Sequence, residues 1–122
     1  MVQETAGGKP LNTDQKIRHI ANHYGFESQS RQLMEECGEL TQAVNKMWRV
    51  KKRYASISGK TIKECEAENN LIGEMADISI MIAQLQELLG ISNDSIADEI
   101  DFKLDREIER IQKERGNDLS TE

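Results

Sequence analysis

Four carboxylates in this chain are placed where acids are costly. Glu36 and Glu39 form an ExxE pair, and Glu74 and Asp77 form an ExxD pair further along. Both pairs lie among Leu, Ile, Met and Ala in stretches that read as helix. Residues three apart are neighbours on a helix face, with Cβ atoms about 5–6 Å apart, so each pair can share one cation. Taking an ionised carboxylate out of water costs roughly several kcal/mol unless a cation compensates. Mg²⁺ is the natural candidate, because it takes hard oxygen ligands. A donor set of oxygens without histidine favours Mg²⁺, with Mn²⁺ possible, over Zn²⁺. Either pair alone is commonplace on a solvated acidic face. Two pairs on consecutive helices, each beside an apolar stripe, favour a metal site.

The elements that must position these acids follow from periodicity and punctuation. Thr13 can cap a first helix that Gly25 stops, and a second helix starts near Ser28 or Ser30 and runs to about Tyr54. Residues 56–60 (SISGK) read as a turn, and Thr61 with Glu64 forms a capping box opening a third helix. Gly90 suits the position just past its end. Ser92 or Asn93 caps a fourth helix, from about Ser95 to Arg115, which Gly116 ends. The expectation is an all-α bundle of about four helices, with antiparallel central helices bearing the carboxylates.

On the second helix, Leu33, Cys37, Leu40, Val44 and Met47 make the apolar stripe expected to pack. Beside it runs a second stripe: Gln29, Gln32, Glu36, Glu39, Ala43, Lys46, Val50 and Arg53. On the third helix, Leu71, Met75, Ile78, Ile82, Leu85 and Leu89 make one apolar stripe, and Ile72, Ala76, Ile80 and Ala83 another. The third stripe is Asn70, Glu74, Asp77, Met81 and Gln84, with two acids where a plain core helix would carry Met or Leu.

Composition bounds the rest. A chain of 122 residues is one domain by the usual prior, here 13–116, between a flexible arm (1–12) and a polar tail (117–122). Such a chain buries a modest core, so a subunit interface is expected to supply more. A formal net charge of −6 argues against nucleic acid as the main partner. Two cysteines, Cys37 and Cys65, are too few for a disulfide framework and read as reduced thiols of a cytoplasmic protein. The sequence has no apolar signal region and no run long enough to span a membrane.

With these residues in view, Leu33–Lys46 (LMEECGELTQAVNK) followed by Gly73–Ile82 (GEMADISIMI) resembles the MazG-like all-α nucleoside triphosphate pyrophosphohydrolases. The resemblance covers roughly residues 13–115. Glu35, Glu36 and Glu39 match the family's EExxE element, and Glu74 and Asp77 match its ExxD element. The separation of Glu39 from Glu74, 34 intervening residues, is longer than the family's usual gap. The resemblance implies that Glu36, Glu39, Glu74 and Asp77 hold Mg²⁺, and that the chain is a homodimer or homotetramer. It implies cleavage of a nucleoside triphosphate between the α and β phosphates, with Glu39 or the flanking Glu35 accepting a proton. A Lys or Arg after the ExxD helix would hold phosphates, which points to Lys103 and Arg106, with Lys46 a further candidate.

Lys103, Arg106, Arg110 and Lys113 share one side of the fourth helix, beside Ile100, Leu104, Ile108 and Ile111. A solvated basic face is the plain alternative. Gln29 and Gln32 share the acids' side and can contact a base or ribose, although helix-face polarity is the simpler account. His19 and His23 are four apart but lack an evident third ligand. SISGKT is not a phosphate-binding loop, since the required earlier glycine is Tyr54. Trp48 lies roughly opposite Glu39 around the helix, at about 100° per residue, and reads as a packing or subunit contact. Two other functions remain open at this level: a phosphoribosyl-ATP pyrophosphohydrolase, and a non-enzymatic helical interaction module.

Overall fold

A computed structural model describes residues 8–121, with side chains through residue 116. Among these residues the chain is all-α, with α1 (Thr13–Arg53), α2 (Ile62–Leu89) and α3 (Asn93–Thr121). Among the described residues no helix is long and apolar enough to cross a membrane. Residues 1–7 of the expected arm, and residue 122 of the expected tail, lie outside the described residues.

The helix count is three rather than about four because α1 carries both of the first two expected helices. They meet at Gly25, whose φ of 86° and ψ of 172° are not helical. That region of backbone space is essentially open to glycine alone. The helix resumes without an intervening loop. Gly25→Ala is expected to lose about 1–3 kcal/mol of stability through backbone strain. A Cβ there would meet nothing within 4 Å, so strain is the whole effect. Urea unfolding of the variant checks this, and an unchanged midpoint would sink it.

The first cap is Asn12 rather than Thr13. Its side chain accepts from Gln15 N–H at 2.8 Å, and Gln15 Oε1 accepts from Asn12 N–H at 3.0 Å, a reciprocal capping box. At the other end Tyr54 is the C-cap, its N–H donating to Val50 O. Thr61 opens α2 with one half of the expected capping box, Oγ1 accepting from Glu64 N–H at 3.1 Å, while the Glu64 carboxylate lies toward Lys51. Gly90, at φ 67°, follows α2, and Ser92 Oγ accepts from Ser95 N–H at 3.1 Å to open α3. Gly116 does not end α3, which continues to Thr121. Glycine in a helix costs about 1 kcal/mol against alanine, a weak stop when no left-handed turn accompanies it.

Helices α1 and α2 form an antiparallel hairpin. Arg18 Nε meets Glu87 Oε1 at 2.9 Å, Gln29 meets Gln84, and Lys51 approaches Glu64 at 3.8 Å. As the α1 partner climbs from 18 to 51, the α2 partner falls from 87 to 64. Among the described residues, those buried are Ala21, Gln29, Ala43, Glu64, Ala67, Met81 and Gln84. Of these, Gln29, Ala43, Met81 and Gln84 belong to the polar stripes. The apolar stripes expected to pack are only partly covered: Leu33, Leu40, Met47, Leu71, Ile78 and Leu85 are half-buried, whereas Val44 is 48 % exposed, Met75 52 % and Ile82 45 %, and Cys37 is an exposed thiol. Ala21, Ala43, Ala67 and Met81 fill the seam together with the hydrogen-bonded pair Gln29 and Gln84. The seam of the hairpin therefore mixes glutamines with Ala and Met, and part of each apolar stripe is left exposed.

The chain divides into two compact units, residues up to Leu89 and residues from Gly90 on. The second unit is α3. Its stripe of Ile100, Leu104, Ile108 and Ile111 is exposed throughout.

Candidate metal centre

Because α1 and α2 run antiparallel with their polar stripes facing, the ExxE and ExxD elements arrive side by side. Glu36, Glu39 and Glu74 each place a carboxylate oxygen within 4.8 Å of the other two. Glu36 and Glu74 are half-buried, and Glu39 is exposed at the mouth. Like charges this close resist joint ionisation. The Glu36 charge above all, with Glu74 adding to it, holds the Glu39 carboxyl above its ordinary value near 4.5.

The donor set fits a hard divalent cation. Glu36 Oε2 and Glu74 Oε2 are buried and have no hydrogen-bond partner among the described residues. A buried carboxylate oxygen without a donor is destabilising, and native structures rarely tolerate it without a reason. None of the ion pairs among the described residues reaches Glu36, Glu39 or Glu74, so no Lys or Arg neutralises them. Oxygen-only ligation matches Mg²⁺ or Mn²⁺. The contrast with Glu64 is informative. It is also buried, but it has Lys51 within 3.8 Å and is explained without an ion.

The glutamines beside the acids serve the hairpin and the cluster. Gln32 Nε2 donates to Glu36 Oε1 at 2.9 Å. That bond fixes the carboxylate and leaves Oε2 as its free atom. Gln29 is buried, and its Nε2 donates to Gln84 Oε1 at 2.6 Å, joining α1 to α2. Neither amide is held out for a base or ribose. Partners that orient a metal-ligating group typically change affinity 10–100-fold when lost. Gln32→Ala should accordingly weaken Mg²⁺ binding about tenfold, or more, while leaving the melting temperature of the metal-free protein nearly unchanged. A Mg²⁺ titration read by thermal melting decides it, and unchanged affinity would remove Gln32 from this role.

Other expected residues fall outside the cluster. Asp77 is exposed and not part of the three-carboxylate group, although it lies one turn from Glu74. Glu35 is exposed as well. Lys103 and Arg106 belong to α3, where the Arg106 guanidinium sits 5.7 Å from the Phe102 ring centroid. Lys46 does lie near the acids: it lines a groove of about 620 Å³ with Glu39, Glu74, Gln42, Arg49 and Asn70. Sequence reasoning missed Arg49 and Asn70 as groove residues. Arg49 was legible, being three residues from Lys46 and so beside it on the helix.

His19 and His23 are exposed, and His23 packs edge-on against Tyr24 at 4.7 Å between ring centroids. No group of three potential metal ligands among the described residues includes either. Lys60 of the SISGK turn is paired with Glu68. Trp48 is 65 % exposed, with Lys52 Nζ 5.3 Å from its ring centroid. Comparison of the chain with family models, with curated proteins and with solved structures finds no match.

Proposed function

We propose that the chain is a Mg²⁺-dependent nucleoside triphosphate pyrophosphohydrolase, yielding a monophosphate and pyrophosphate. The observation that carries this reading is the meeting of Glu36, Glu39 and Glu74 within 4.8 Å, two of them with buried oxygens that lack a donor. A purely structural helical module gives no account of those two atoms. The resemblance of residues 33–46 and 73–82 to the MazG-like enzymes supplies the reaction.

Glu36, Glu39 and Glu74 hold the cation, with Asp77 as the fourth acid, its Cβ about 5–6 Å from that of Glu74 by helix spacing. A bound Mg²⁺ neutralises phosphate charge and lowers the pKa of a coordinated water. Gln32 keeps Glu36 in register for that task. A water would attack the α-phosphorus in line with the departing pyrophosphate, its proton going to Glu39 of the cluster or to the flanking Glu35. Lys46 is the basic residue beside the acids assigned to the phosphates, where fixed positive charge stabilises the leaving group.

The protein acts as a homodimer or homotetramer in the cytoplasm, in nucleotide-pool sanitation. Exposed apolar side chains on the hairpin support the oligomer, since Val44, Trp48, Met75 and Ile82 are left for a second subunit to cover. The test is pyrophosphate release from a panel of ribo- and deoxyribonucleoside triphosphates, with Mg²⁺ and with chelator. Metal-dependent release of pyrophosphate and monophosphate is the expected result. Orthophosphate release, or no turnover across the panel, would overturn the reading.

A further inference from the structure

The groove beside the acids has two chemically different ends. Glu39 and Glu74 line one part of it, and Lys46 and Arg49 line another, with Gln42 and Asn70 as neutral hydrogen-bonding groups. Its volume, about 620 Å³, lies in the range of small-ligand sites. The two cations are uncommitted. Elsewhere on the second arm of α1, Arg31 pairs with Glu27, Lys51 approaches Glu64, Lys52 sits over Trp48 and Arg53 over Tyr54. Lys46 and Arg49 have no ion-pair, hydrogen-bond or ring partner among the described residues.

Helix geometry gives the groove a direction. Lys46 lies seven residues beyond Glu39, about 10 Å along the axis, and Arg49 about 15 Å. Lys46 occupies the acids' side of α1, Arg49 lies about 80° round from Glu39 but still lines the groove, and side chains on a helix lean toward its N-terminus, here back toward Glu39. A ligand whose one end needs a metal and whose other end needs cations matches this order, and a chain of phosphates is such a ligand.

We infer that the groove running from Glu39 and Glu74 to Lys46 and Arg49 is the polyphosphate site, with Arg49 as its distal anion clamp. The inference rests on the pyrophosphohydrolase reading and adds an orientation to it. The α-phosphate lies at the acids, and the β and γ phosphates extend toward the C-terminal end of α1. The nucleoside is directed the other way, toward the Gln32 side. Arg49 presents a planar fork of donors suited to a terminal phosphate, while Lys46 acts as a point charge nearer the cleaved bond.

Calorimetric titration with inorganic pyrophosphate tests this without any turnover. At millimolar Mg²⁺ the wild-type protein is expected to bind pyrophosphate. Arg49→Ala and Lys46→Ala should each bind at least about tenfold more weakly, as loss of a charge-assisted hydrogen bond implies. Arg49→Lys should recover part of the loss. The Mg²⁺-induced rise in melting temperature should be intact in all three, showing that fold and metal site are untouched. Wild-type affinity in both alanine variants, or no pyrophosphate binding by the wild type, would overturn the inference. In the first case, Mg²⁺-dependent turnover would still uphold the pyrophosphohydrolase reading. Conversely, pyrophosphate bound through Lys46 and Arg49 by a protein that hydrolyses no nucleotide would uphold the anion site and sink the enzyme.

Discussion

Millimolar Mg²⁺ is expected to raise the melting temperature of this protein, and Glu36→Gln is expected to abolish the rise. The metal-free cluster is held together against its own electrostatics. Three carboxylates lie within 4.8 Å, and two of their oxygens are buried without a donor. A cation that binds only the folded state stabilises it by about 2.7 kcal/mol when its concentration is 100 times its dissociation constant. For a domain of this size that corresponds to a rise on the order of 10 °C. Glu36→Gln removes one like charge while preserving shape and the contact with Gln32. The variant without metal should therefore melt no lower than the wild type without metal. Calorimetric scans of both proteins, with Mg²⁺ and with chelator, decide the matter. A wild type indifferent to Mg²⁺ would show that these acids are not a metal site. A variant that melts well below the metal-free wild type would show that Glu36 is structural.

The same cluster fixes the sign of the pH dependence. Glu39 in the folded, metal-free protein has its carboxyl held above the ordinary value near 4.5, chiefly by the Glu36 charge. Across the window from that ordinary value up to the raised one, the folded state binds more protons than the unfolded state. Stability of the metal-free protein then declines as pH rises through the window. Mg²⁺ must displace the proton, so its affinity should weaken as pH falls through the same range. The two trends oppose each other, and the benefit of Mg²⁺ should be greatest above the window.

The sequence made the helices and the acids legible because both depend on local rules. Thr61, Gly90 and Ser92 mark helix ends through backbone hydrogen bonds or a left-handed turn, and these act where they stand in the chain. Asn12 was overlooked beside Thr13, one residue away, because several short polar side chains in a row compete for one capping position. Gly25 was recognised as a break but not as a kink, since only the flanking chain decides whether helix resumes after a glycine. Gly116 was misread for the converse reason. The inward face was less legible still. Periodicity finds the apolar stripe and equates it with the inside, yet here Gln29, Ala43, Met81 and Gln84 line the seam while Val44 and Met75 face out. Hydropathy ranks the side chains of a helix but does not encode which of its faces the partner helix covers. Pairing Glu36 and Glu39 with Glu74 required only matching spacing and an antiparallel turn, so the cluster could be anticipated. Separating Asp77 from it required the actual rotation of α2.

Glu36→Ala and Glu74→Ala should each lower nucleoside triphosphate hydrolysis by a factor on the order of 10³ or more. A metal-polarised phosphoryl oxygen contributes several kcal/mol of transition-state charge stabilisation, and every 1.36 kcal/mol is a factor of ten in rate. Asp77→Asn separates two arrangements of the site. If Asp77 completes the metal site only once substrate is present, its loss should lower turnover while the Mg²⁺-induced melting shift persists, because Glu36, Glu39 and Glu74 already form a three-carboxylate group. If the shift disappears together with turnover, Asp77 is a ligand in the resting protein, and α2 must rotate from the placement in which Asp77 is exposed. Full activity in Asp77→Asn would reduce the site to three acids and count against the ExxD element as a functional unit. Measuring pyrophosphate release and melting on the same preparations reads out all three outcomes. Activity surviving in Glu36→Ala and Glu74→Ala alike would place the chemistry elsewhere in the chain.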